Sequence, residues 1–87
     1  MAKKQVILQP GHFFYEVWAG AMKAQGLSVT KWANARGHAI ASLKPMATGG
    51  TNGEKSKRIR QEMIDSVGED VFMALYEMRL RNEGILQ

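Results

Sequence analysis

Eighty-seven residues with a hydrophobic fraction of 45% and a mean hydropathy of −0.28 suit one small globular domain and are too apolar for a disordered chain. The absence of cysteine excludes disulfides, thiolate metal sites and cysteine nucleophiles, and no apolar run approaches a membrane span, so a reducing intracellular compartment is expected. The net charge of +4 is uneven: residues 1–60 carry ten Lys and Arg against Glu16 and Glu54, a net +8, and residues 61–87 carry Arg79 and Arg81 against six acids, a net −4.

In chain order, Gln5 to Gln9 contains three consecutive β-prone residues, which fits a short edge strand, a dimer contact or a frayed end. A basic arm laid in a minor groove is the functional alternative for the same stretch. Pro10-Gly11 breaks the chain, and a helix is expected over 12–25 with Phe14, Val17, Trp18, Ala21 and Met22 as its apolar stripe. His12 beside Glu16 is an i, i+4 pair, but with His38 the only other histidine it reads as polar helix surface, and no metal is expected.

Residues 26–46, GLSVTKWANARGHAIASLKPM, read as a helix, a Gly-centred turn and a second short helix. Ser28 is the expected N-cap. Val29, Trp32 and Ala33 share one helical face, Gly37 ends the helix, and Ile40, Leu43 and Met46 restart an apolar set at intervals of three. Ala33 and Gly37, four apart, suggest that the second helix crosses close above the first. Pro45 lacks an amide and disfavours helix at Lys44, so the second helix is expected to end or kink after about 39–44.

ATGGTNG follows, permissive in backbone but lacking the Gly-Lys-Ser/Thr ending of a phosphate-binding P-loop. A helix is expected from near Glu54, with Lys55, Lys57, Arg58 and Arg60 in its first two turns and Ile59, Met63 and Val67 facing the core. Cations at a helix N-terminus oppose its dipole unless an anion is bound there, and a DNA phosphate is the natural anion. After Gly68 a last helix over about 69–83 carries an apolar surface wider than a small monomer needs. Deep insertion between other helices or a two-fold dimer seam explains it; the dimer is the preferred reading, with Phe72, Leu75 and Tyr76 as its contact.

The segment GLSVTKWANARG resembles the opening of the helix-turn-helix of Cro/repressor-type regulators, especially the small phage-encoded, Ner-like branch, with Trp32 and Ala33 in the places of the buried apolar and small residues. NGEKSKRIRQEMIDSVG is similar to the fourth helix of the same domain, so the resemblance spans about residues 12–68. Arg36 and His38 depart from it, flanking the turn where apolar residues are usual. The resemblance implies a compact all-α, five-helix, lambda-repressor-like single domain that binds double-stranded DNA as a transcriptional regulator or phage repressor, associated with the nucleoid. It places the second helix of the pair in the major groove. On that reading Ala41, Ser42 and Lys44 face base edges with His38 and Thr48 at the margins, and Lys31, Lys55, Lys57 and Arg58 hold phosphates. No cofactor is expected, and no nucleophile motif or acid–base cluster supports an enzyme. The competing expectation is a protein-interaction module on the same fold, an activator that docks on RNA polymerase or an antitoxin-like partner binder.

Overall fold

Residues 11–48 and 53–85, described by a computed structural model, form five helices and no strand. These are α1 (His12–Ala24), α2 (Val29–Ala35), α3 (Ile40–Thr48), α4 (Glu54–Val67) and α5 (Glu69–Asn82). The stretch 1–10, expected as a strand or arm, lies outside the described residues, as does 49–52 of the glycine-rich connection.

The helix α1 is the axis of the domain and packs on all four others. Its buried residues are the five expected, Phe14, Val17, Trp18, Ala21 and Met22. This spacing keeps one stripe on one side of a 3.6-residue turn. Burying each large side chain of that stripe contributes about 1.5–3 kcal/mol. Trp18 is fully buried, and its indole Nε1 donates to Ser66 Oγ on α4 at 3.0 Å; the Ser66 hydroxyl donates in turn to the Met63 carbonyl at 2.6 Å. The same face of α4 contributes Ile59, Met63, Ile64 and Val67 to the core.

Two helix ends follow from glycine. Gly26 (φ +75°) and Gly37 (φ +73°) let the next amide turn back, so Leu27 N donates to Met22 O and His38 N to Ala33 O, both at 2.8 Å. No atom lies within 4 Å of where a Cβ on Gly37 would sit. Gly37 is therefore needed for its backbone angle, not for close approach; Ala33 is fully buried in the core. Ser28 caps α2 as expected, its Oγ accepting from Lys31 N at 3.2 Å.

The largest departure from expectation is α3, which continues through Pro45 to Thr48. Leu43, Met46 and Ala47 are buried and hold its inner side, and its C-terminal carbonyls are satisfied from elsewhere in the domain. Gly11 N donates to Ala47 O at 2.9 Å, and the buried Arg60 Nη1 donates to Met46 O at 2.7 Å. Pro45 removes a single helical hydrogen bond, to the carbonyl of Ala41. Ala41 is exposed, so water can serve that carbonyl. Ile40, expected inside, is 39% exposed.

The α5 helix corrects the expected dimer contact. Phe72 packs on Phe14 with ring centroids 4.9 Å apart and stacks on Tyr76 at 5.8 Å. Both Phe72 and Tyr76 are core residues of the protomer, so neither forms a surface for a second copy. The breadth of the α5 apolar surface has two parts: Phe72 and Tyr76 insert inward, and Val71 and Met78 stay exposed with Leu75 half-buried beside them. Arg79 fastens α5 to α1, with Nη1 2.7 Å from Glu16 Oε1, Nε 2.9 Å from Glu83 Oε2 and its guanidinium 4.6 Å above the Phe13 ring. The hydrogen bonds it donates, to Glu16 first and Glu83 second, hold this guanidinium protonated beyond the ordinary arginine range.

Candidate nucleic-acid interface

Successive residues of a helix are displaced by about 100° around its axis. In α3, with Leu43, Met46 and Ala47 turned inward, the centre of the outer face falls on Ala41 and Pro45, both exposed. Ser42 lies on one flank of that face and Lys44 on the other.

The Ser42 flank faces α4. Gly37, His38, Ala41, Ser42, Pro45 and Lys55 line one open groove of about 540 Å³ between the α2–α3 turn, the outer side of α3 and the first turn of α4. Three of the expected base-edge residues, His38, Ala41 and Ser42, therefore meet one of the expected phosphate residues, Lys55. The α4 end beside them starts at Gly53, which offers no side-chain cap, and the helix dipole there favours an anion.

Lys44 does not join the groove. Its Nζ lies 6.0 Å from the centroid of the Tyr15 ring, on the α1 side of α3. A second hollow on that side, about 600 Å³, is lined by Tyr15, Ala19, Lys23, Leu27, Val29 and Ile40. Thr48 is the last residue of α3. Lys31 is exposed on α2 and lines neither concavity.

The cations of α4 divide into two kinds. Lys55, Lys57 and Arg58 are exposed, with Lys57 Nζ in a loose 3.9 Å pair with Glu54. Arg60, from the same basic run, is buried and caps α3. The signal that separates them lies in the spacing: Arg60 follows Ser56 by four and precedes Ile64 by four, inside the buried stripe of α4. Arg36 turns outward at the end of α2, stacks 4.8 Å over Trp32 and pairs with Glu62 at 3.0 Å, and His38 is half-buried. These arrangements accommodate two polar residues where the resembled family has apolar ones.

Sequence reasoning missed Pro45 as an outward-facing residue of the groove. Its signal is the i, i+4 relation to Ala41, set aside by the expectation that the helix ends or kinks after about 39–44.

Among the described residues no group of three His, Cys, Asp or Glu could hold a metal ion, and no helix is long and apolar enough to cross a membrane. Comparison with protein-family models, curated proteins and solved structures finds no match to this chain.

Proposed function

We propose that the chain is a sequence-specific, double-stranded-DNA-binding transcriptional regulator of the phage or prophage repressor type, acting in the cytoplasm on the nucleoid. One observation carries this reading: the outer side of α3, the turn residue His38 and Lys55 of α4 line a single open groove. In such an arrangement α3 enters the major groove, α2 braces it, and the start of α4 meets the backbone of the DNA. Lys55, Lys57 and Arg58 supply the phosphate contacts nearest α3, with Lys31 adding one from α2. Ser42 and His38 supply hydrogen bonds to base edges, and Lys44 takes part only after leaving Tyr15. The basic charge of residues 1–60 supports the same reading through counterion release.

A homodimer is part of the proposal, through a strip of α5 formed by the exposed Val71 and Met78 and the half-buried Leu75. Two copies so joined read half-sites about one helical turn apart. The same strip favours a second reading, a protein-interaction module that docks on RNA polymerase or another protein partner.

Titration of the purified chain with random duplex DNA from low to physiological salt separates the two. The regulator reading expects affinity to fall steeply with salt. In Lys55→Ala and in Arg58→Ala the slope of log affinity against log salt falls by about one unit each, with equal weakening on all sequences. Ser42→Ala instead narrows the difference between preferred and random duplexes. Absence of binding at low salt, together with tight capture of a protein partner, decides for the interaction module.

A further inference from the structure

The outer face of α3 is chemically unusual for a reading head. Its nine residues, IASLKPMAT, contain no Arg, Asn or Gln, the side chains that make bidentate hydrogen bonds to guanine or adenine. The single cation, Lys44, is placed over Tyr15 on the side away from the groove. Ala41 and Pro45, both exposed near the centre of this face, have side chains that present only carbon. Hydrogen-bonding groups, Ser42 and His38, stand at the groove's α4 and turn margins.

In the major groove one feature of a base pair is read by apolar contact alone, the C5-methyl group of thymine. We infer that Ala41 and Pro45 form a methyl-reading surface, so that α3 selects thymine rather than hydrogen-bonding to purines. This rests on the DNA-binding reading above. Ala41 and Pro45 are four residues apart, a rise of about 6 Å along the helix. Base pairs are spaced by about 3.4 Å, so the two side chains span neighbouring or next-neighbouring thymines. Ser42 then fixes register from the flank, and the lysines and Arg58 of α4 fix the distance to the backbone.

The experiment begins with selection of duplexes from a random pool built of the four unmodified bases, which leaves thymine as the only source of the methyl group. In the selected duplex each thymine is replaced singly by uracil, which removes the methyl and leaves every hydrogen-bonding group in place. The expected result is one or two positions at which uracil weakens binding about four-fold, the effect of one lost buried methyl. At such a position the thymine-to-uracil ratio falls towards one in Pro45→Ala or in Ala41→Gly. Thermal melting confirms that each variant is folded; Pro45→Ala, which restores a helix former, keeps the test available if Ala41→Gly frays α3. Equal affinity for every uracil duplex, or ratios unchanged in both variants, overturns methyl reading while leaving DNA binding intact. Failure to bind any duplex at low salt overturns the DNA-binding reading itself, and methyl reading with it.

Discussion

The helices α1 and α3 reach the same secondary structure by opposite routes. α1 has thirteen residues, a buried stripe in helical register and a glycine-based C-terminal turn, all within its own segment. α3 has nine residues and an internal proline, and its last carbonyls are satisfied by Gly11 and Arg60 from other parts of the chain. Short helices are marginal by themselves and take their stability from packing. The contrast shows where this domain keeps its local strength, in the scaffold, and where it borrows it, in the segment that faces outward.

The largest effect separating the two helices is expected at Arg60. Arg60→Met keeps most of the side-chain volume but removes the donor to the Met46 carbonyl, 2.7 Å away. Loss of a charged donor to a largely buried carbonyl costs about 2–3 kcal/mol. Because that contact ends on α3, the backbone amides of α3 lose hydrogen-exchange protection first, while those of α1 open only with the whole domain. Uniform loss of protection across α1 and α3 breaks the distinction between a self-sufficient and a borrowed helix.

The same distinction explains what was legible in the sequence. The stripe of α1, the Ser28 cap, the Gly37 turn and the core positions Ile59, Met63 and Val67 of α4 are local patterns, and each is found where its spacing puts it. The length of α3 was not legible, because the groups that cap it come from Gly11 and Arg60, the latter 14 residues beyond Met46. Nor does the apolar character of α5 say which of its residues turn inward: Phe72 and Tyr76 are drawn in by Phe14 and by each other, which leaves Val71 and Met78 outside. For the candidate site, helical position brought His38, Ala41 and Ser42 together with Lys55, whereas Lys44 was diverted by Tyr15, a neighbour 29 positions away.

Pro45→Ala sharpens the comparison from the other direction. Alanine restores the amide that Ala41's carbonyl lacks and removes a residue disfavoured by about 3 kcal/mol in a helix interior. Part of that gain is returned, because proline also restricts the unfolded chain. The net expectation is stabilisation by about 1–2 kcal/mol, read as a higher denaturant midpoint at unchanged m-value. Extra exchange protection confined to α3 identifies the gain as local helix strength. A destabilised Pro45→Ala shows instead that α3 depends on the proline's own contacts in the groove.

The smallest of these effects lies at Ser28, at the start of the helix between the two. With seven residues α2 is shorter than α3, yet like α1 it carries its own end signals, the Ser28 cap and the Gly37 turn. Ser28→Ala removes the acceptor for Lys31 N and costs about 1 kcal/mol, a fall in Tm of about 4–8 °C for a domain of this size. Ser28→Asp keeps an acceptor at the same place and adds a charge favoured by the helix dipole, so its stability equals or exceeds that of the parent chain. If α2 is built from local signals, Ala and Asp part in this way. If both variants match the parent, α2 is held by packing, through buried Ala33 with Val29 and Trp32 against the core, and it belongs with α3 among the borrowed helices, which leaves both halves of the α2–α3 pair dependent on the rest of the domain for their shape.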